Sequence, residues 1–247
     1  MAWRNVQMTT GAQRGFSLME MLVSLAILST VLGVVMQGVV TMQSRNDVET
    51  NKVDLTQQSR EFMDQIVNDL RQSGFPRPGM FDPTALIPPA SAAVPPNCTV
   101  YSGLACGLLY LDATQVQFEG DVDGTGVSME WIKLVQTNGA NAPACTTPPC
   151  VLQRGTISKA SWMLGNPISY YTEVNGVMNT NVFTAYDNNG LDLSASLPIA
   201  NAYAQGYNNG LNIRAIGITL YLRASQIDAK THTYPTVTMV STARVND

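Results

Sequence analysis

Histidine is almost missing from this 247-residue chain: His232 is the only one. A zinc site needs several deprotonated sulfur or imidazole ligands gathered in space. The four cysteines, Cys98, Cys106, Cys145 and Cys150, form no CxxC pair to help one histidine complete it. His232 sits between Thr231 and Thr233, just before Pro235, which reads as a solvated loop. No GxSxG sequence offers it a positioned serine. Neither GxGxxG nor GxxxxGK[ST] occurs, so nucleotide binding has no support. Charge is scarce too, at 13% of residues against roughly 25% in a typical soluble domain. The net charge is −4, and the 14 basic residues are scattered without a basic patch. A nucleic-acid partner would require such a patch. The expectation is a protein that is not an enzyme, has no resident cofactor and binds no nucleic acid.

What the chain has is a long apolar run near its start. Residues 16–40 read FSLMEMLVSLAILSTVLGVVMQGVV, with Glu20 the only charge. As a helix this run reaches about 37 Å, enough to cross a bilayer core. Arg4 and Arg14 precede it with no acid, and Asp47 and Glu49 follow it. The positive-inside tendency then keeps the N-terminus cytoplasmic and exports the rest. A cleaved secretory signal would have a shorter apolar core and a small-residue site after it, and none follows Val40 directly.

The helical pattern continues instead. Val48, Leu55, Phe62, Ile66 and Leu70, widened by Met63 and Val67, fall on one helical face. Arg45, Asp47, Glu49, Lys52, Asp54, Arg60, Glu61 and Asp64 fall on the other. No Pro or Gly interrupts residues 41–73, and Gly74 and Pro76 supply a stop. The spacing predicts one helix of about 85 Å, apolar in its first half and amphipathic in its second.

Seven prolines crowd residues 75–96, which reads as a linker loop. Beyond Gly107 come β-rich runs: LLYLDATQVQFEG, VSMEWIKLVQ, VLQRGTIS, ISYYTEV, VFTAY, IRAIGITLYLRA and TVTMVSTARV. Turn clusters such as DVDGTG, TNGANAP and DNNG separate them. Phe118, Trp131, Tyr110 and Tyr221 lie in these runs, where aromatics are more often core than ligand platform. The fold class expected is α+β, a long N-terminal helix packed on a C-terminal antiparallel β-sheet head.

DVDGTG also imitates the start of a calcium loop, with Asp121, Asp123 and Thr125 as oxygen ligands and Gly126 at the sixth place. Its twelfth place is Ile132 rather than Glu, and a strand follows. A plain hairpin turn is the expected reading, with calcium the alternative. The even cysteine count suits an oxidising compartment. Four cysteines allow three pairings; Cys98–Cys106 and Cys145–Cys150 are expected because each pair lies within one Pro- or Gly-containing loop.

Gly15-Phe16-Ser17-Leu18-Met19-Glu20, behind Arg14 and ahead of the apolar helix, resembles the N-terminal signal of type IV pilins and pseudopilins. That resemblance implies a leader at 1–15 and cleavage after Gly15 by a prepilin peptidase that methylates Phe16. It implies a membrane and assembly helix at 16–40, its amphipathic continuation at 41–74, a linker at 75–106 and an exported head at 107–247. It also implies a role for Glu20. An ionised carboxylate at the centre of a bilayer helix costs about 3 kcal/mol. In this family the corresponding acid answers the free N-terminal amine of a neighbouring subunit, so Glu20 is an assembly residue rather than a catalytic one. NDLRQSGF at the helix end, the hairpin QVQFEGDVDGTGVSMEWIKL, the Leu152–Arg154 strand and the terminal ARVND resemble the PilW-type minor pilins and the J-type pseudopilins of type II secretion. The implied function is a structural subunit of a type IV pilus, aiding assembly or tip initiation. A secretion pseudopilin and an adhesin-like pilin are the alternatives. The implied partners are the peptidase/methyltransferase, other pilin subunits and the inner membrane. The implied location is a single-pass inner-membrane protein that enters the pilus or pseudopilus.

Overall fold

The computed structural model describes residues 17–76, 102–139, 141–200, 213–228 and 231–245. One helix, α1, runs from Leu18 to Gln72. The chain divides at Asp47/Val48 into two units.

In the first unit, α1 is long and apolar enough to cross a membrane. Leu18 to Val40 expose their side chains on every side of the helix, which in water would be untenable. The few hydroxyls are satisfied within the helix. Ser24 donates to the Glu20 carbonyl at 2.7 Å and Thr41 to the Gln37 carbonyl at 2.9 Å. Such local bonds are what a hydrocarbon environment demands of a polar group.

The second unit is the end of α1 and a sheet. Here α1 buries Val48, Leu55, Phe62, Met63, Ile66 and Leu70, with two polar residues, Ser59 and Asp69, on the same face. Its charged face, from Glu49 to Asp64, stays exposed. The helix stops where expected: Gly74 takes φ 79°, a left-handed conformation open to a residue without Cβ. The chain leaving the helix is tied to the sheet, with the Gly74 N–H donating to the Glu119 carbonyl at 2.9 Å.

Among the described residues nine strands follow: β1 Leu108–Leu111, β2 Gln115–Gly120, β3 Ser128–Val135, β4 Cys150–Ser158, β5 Ser169–Val177, β6 Phe183–Tyr186, β7 Ile199–Ala200, β8 Ala215–Arg223 and β9 Thr236–Arg244. All pairings are antiparallel, and the sheet reads β7-β1-β2-β3-β4-β5-β8. On β8, Leu222 pairs with both Val177 and Val237, and Ile218 with both Phe183 and Ser241. A strand has only two edges, so β5 and β6 share one and β9 takes the other.

Alternation sends Val116, Phe118, Ile132, Leu134, Leu152, Ile218 and Leu220 into one core with Phe62, Ile66 and Leu70 of α1. This is the expected α+β architecture, an amphipathic helix half packed on an antiparallel sheet. Two features were not expected. The run from Leu108 to Gly120 is broken by a turn, where the Asp112 carboxylate accepts from the Thr114 and Gln115 N–H groups at 2.6 and 2.8 Å. A short helix, α2 Lys159–Met163, follows β4, capped by the Ser158 hydroxyl.

Candidate functional site

Two places carry unusual chemistry: the start of α1, and the charged groups buried where its end meets the sheet. Each belongs to one unit.

At the start, Gly15 and Phe16 lie outside the described residues. The Ser17 carbonyl accepts from the Glu20 and Met21 N–H groups at 2.9 and 3.1 Å, which makes Ser17 the cap residue of α1. Glu20 therefore lies in the first helical turn rather than mid-helix. A carboxylate there interacts favourably with the positive end of the helix dipole, by about 0.3–1 kcal/mol at an exposed site. That offsets only part of the cost of placing it in an apolar segment. Its side chain is exposed, next to exposed Leu18, Met19 and Met21.

At the other end, Arg154 on β4 is buried, with its side chain 2% exposed. Its Nη2 donates to Asp69 Oδ2 of α1, and its Nε to Glu130 Oε2 of β3 at 2.9 Å. Glu173 of β5 stands 4.0 Å from Nη1. The Thr156 hydroxyl also donates to Glu130, at 2.7 Å. The register explains the gathering. Ile132 pairs with Arg154 and Glu130 with Thr156, so Glu130, Arg154 and Thr156 share the face that α1 covers. Burial opposes the Arg154 charge, but the Glu130 and Asp69 carboxylates outweigh it and hold its pKa above the ordinary range. Burial raises the Asp69 and Glu130 carboxyls even against Arg154. Burial also raises Glu173, where the pull of Arg154 is opposed by Asp69, Glu61 and Glu130. One guanidinium thus serves three carboxyls.

A second buried pair lies close by. Lys159 Nζ donates to Glu119 Oε2 at 2.6 Å and to the Leu104 carbonyl at 2.7 Å. The same Glu119 oxygen accepts the Cys106 N–H at 2.9 Å, so the pair holds the 104–106 segment against β2.

Cys145 and Cys150 form a disulfide across a Cα separation of 5.9 Å, joining the loop after β3 to the start of β4. Cys106 is no free thiol, and Cys98 lies outside the described residues. Asp121, Asp123 and Thr125 fall in the β2–β3 turn. There Asp123 accepts from the Thr125 hydroxyl and N–H at 2.7 and 2.9 Å, and Asp121 from the Gly126 N–H at 3.0 Å. The turn uses its own carboxylates, which is the hairpin geometry. No group of three or more His, Cys, Asp or Glu is placed to hold a metal among the described residues. Phe118 is core, whereas Trp131 stands half-buried on the outer sheet face, edge-on to Tyr170 at 6.0 Å, and Tyr221 is 40% exposed. His232 is exposed in a loop.

Residues 11–36 match the family described as the prokaryotic N-terminal methylation motif. The chain carries a prepilin-type N-terminal motif on a pilin-like helix-and-sheet fold. The match takes in Gly15, Phe16, Glu20 and most of the apolar run. No curated protein and no solved structure matches the chain. The motif implies processing by a prepilin peptidase/methyltransferase, and the apolar helix implies a single-pass membrane anchor.

Neither buried ion pair was legible as a pair. Asp69 and Arg154 stand inside the NDLRQSGF and Leu152–Arg154 motifs, but nothing in either motif says they meet. The available sign was partial: Asp69 stands three residues after Ile66 and seven after Phe62, and Arg154 two after Leu152, positions of the apolar faces.

Proposed function

We propose that the protein is a minor pilin, a structural subunit of a type IV pilus that aids assembly or tip-complex initiation. In this reading the peptidase removes residues 1–15 and methylates Phe16, residues 16–40 anchor the chain with its N-terminus cytoplasmic, and the head is exported. The observation that carries it is the matched motif leading into a helix that exposes apolar side chains all round. Such a surface must be covered by lipid or by other helices, and a filament offers the second once the subunit leaves the bilayer. Glu20 is the group that distinguishes the two surroundings. Lipid offers it no partner; a neighbouring subunit's N-terminal amine does. The PilW-like motifs favour a minor over a major pilin.

The test is to purify filaments from cells producing the protein at native level and to look for its processed form within them. Mass spectrometry of the filament fraction should show a chain beginning at methylated Phe16. Recovery only with secretion components reassigns it to a type II pseudopilus. Filaments that assemble normally without the subunit but fail to adhere support the adhesin reading.

A further inference from the structure

Among the described residues β9 leaves one edge of the sheet open, and we propose that β9 is a strand-addition site for a second copy of this chain. The inference holds whether or not the protein is a filament subunit. The β8–β9 ladder runs without a bulge from Ala215↔Arg244 to Arg223↔Thr236. At its two ends, Val245 N–H donates to the Arg214 carbonyl and Ala224 N–H to the Pro235 carbonyl. In an antiparallel ladder hydrogen-bonded pairs alternate with pairs whose N–H and C=O point away. Residues 235, 237, 239, 241, 243 and 245 therefore bond to β8. Thr236, Thr238, Val240, Thr242 and Arg244 turn their N–H and C=O outward, where no strand lies among the described residues.

Natural edges are guarded by Pro, Lys, bulges or short length. This one is nine residues long and has no Pro, no Lys and no bulge; Arg244 at its last position is its only charge. The five outward residues are all exposed, Val240 by 70%. A guest strand must present its own free groups at the same parity and must not oppose like charges. A second β9, related by a two-fold axis at Val240, does both. Thr236 then faces Arg244, Thr238 faces Thr242, and Val240 faces its own copy. Every one is an outward residue, so all five pairs exchange hydrogen bonds. The two Arg244 side chains stay at opposite ends of the ribbon. Arg223, the next cation along that row, is one strand further in and stacked on Tyr234 at 4.5 Å. Cross-strand Thr–Thr pairs are favourable, and a two-fold contact of one patch with itself closes as a dimer.

Register-specific cross-linking of the full-length protein in membranes tests this, using a short bis-maleimide with the unsubstituted protein as blank. Val240→Cys should yield a cross-linked dimer. Thr236→Cys mixed with Arg244→Cys should also yield one. Thr236→Cys alone should not, because its two copies lie about 27 Å apart along the ribbon. Val240→Lys, added to the Thr236→Cys and Arg244→Cys pair, should abolish their product by opposing two ammonium groups. The side chain is exposed, so this variant keeps its fold, which resistance of the head to added protease checks. Equal cross-linking at all three positions, a Thr236→Cys homodimer, or no product at Val240→Cys overturns the proposal.

Discussion

Arg154 of β4 donates directly to the Asp69 carboxylate of α1, so a buried charge pair ties the last turn of the long helix to the middle of the sheet. A force acting on the helix reaches the head through this contact as well as through Phe62, Ile66 and Leu70. Buried ion pairs gain little over well-packed apolar groups but cost heavily when broken. Arg154→Ala should lower the unfolding free energy of the detergent-solubilised protein by about 3–5 kcal/mol, because Asp69 and Glu130 remain buried without their cation. Arg154→Met combined with Asp69→Leu and Glu130→Leu should recover most of that loss. Urea unfolding followed by tryptophan fluorescence gives both values. A triple variant no better than Arg154→Ala would mean that the pair itself, and not relief from unpaired charge, holds the helix.

Glu173 should give the head an unusual response to pH. Its pKa is raised in the folded protein, by burial first and then by the neighbouring carboxylates. A carboxyl with a raised folded pKa binds its proton more tightly in the native state. Its contribution to stability is full below the unfolded value of about 4.3 and is lost as pH rises through the folded value. Glu173→Gln should therefore stabilise the head at neutral pH and flatten the decline in unfolding midpoint above about pH 4.3. The midpoint against pH, for wild type and variant, decides it. A variant less stable at neutral pH would make Glu173 a net partner of Arg154.

The helix and the strands were readable because their patterns are local. An apolar stripe at helical spacing ended at Gly74, and alternating runs were cut by Asn, Asp and Gly turns. The turn at Asp112 was missed because no Gly or Pro marks it; a side-chain carboxylate does the work of a turn residue. Arg154, Asp69, Glu130, Lys159 and Glu119 were missed as partners for a different reason. Their meeting depends on strand register and helix docking, which join residues as far apart as 69 and 154. The motif around Gly15 and Glu20 lay at the opposite extreme, a short contiguous string that needs no fold to be read.

Gly120 stands where the backbone of the helix end comes close to the sheet. A Cβ built there lies 2.6 Å from the Gln72 carbonyl oxygen and 3.1 Å from its carbon, both backbone atoms that cannot rotate away. Gly120→Ala should push α1 from β2 and destabilise the head by about 1–3 kcal/mol, the usual range for overpacking. Gly33→Ala is the control, since a Cβ there meets nothing within 4 Å. Similar unfolding midpoints for the two variants would show that the contact yields.

The disulfides can be read from tryptic peptides. Cys145 and Cys150 lie together between Lys133 and Arg154, and Cys98 and Cys106 together between Arg77 and Lys133. With pairing Cys98–Cys106 and Cys145–Cys150, reduction should add two hydrogens to each fragment without releasing a partner. A linked pair of fragments would reject the local pairing for Cys98 and Cys106.

Glu20 is the decisive residue for the filament reading. Glu20→Ala removes a carboxylate from an apolar helix, so insertion and cleavage of the monomer should be unimpaired. The alanine loses the dipole contact in the first turn, about 0.3–1 kcal/mol, too little to unfold the helix. On the filament reading, what it removes from an assembly is the partner of a neighbour's N-terminal amine, which would then sit uncompensated in low dielectric. That loss is about 3–5 kcal/mol for a fully buried pair, or roughly a hundredfold or more in subunit association. Glu20→Asp keeps the charge and should retain part of the association; Glu20→Gln keeps the shape and should not. Membrane level, processed mass and recovery in filaments, measured in parallel for the three variants, separate the accounts. If charge pairing governs assembly, the alanine and glutamine variants accumulate in the membrane, processed but unassembled. If Glu20 serves only the helix end, all three enter filaments at the wild-type level.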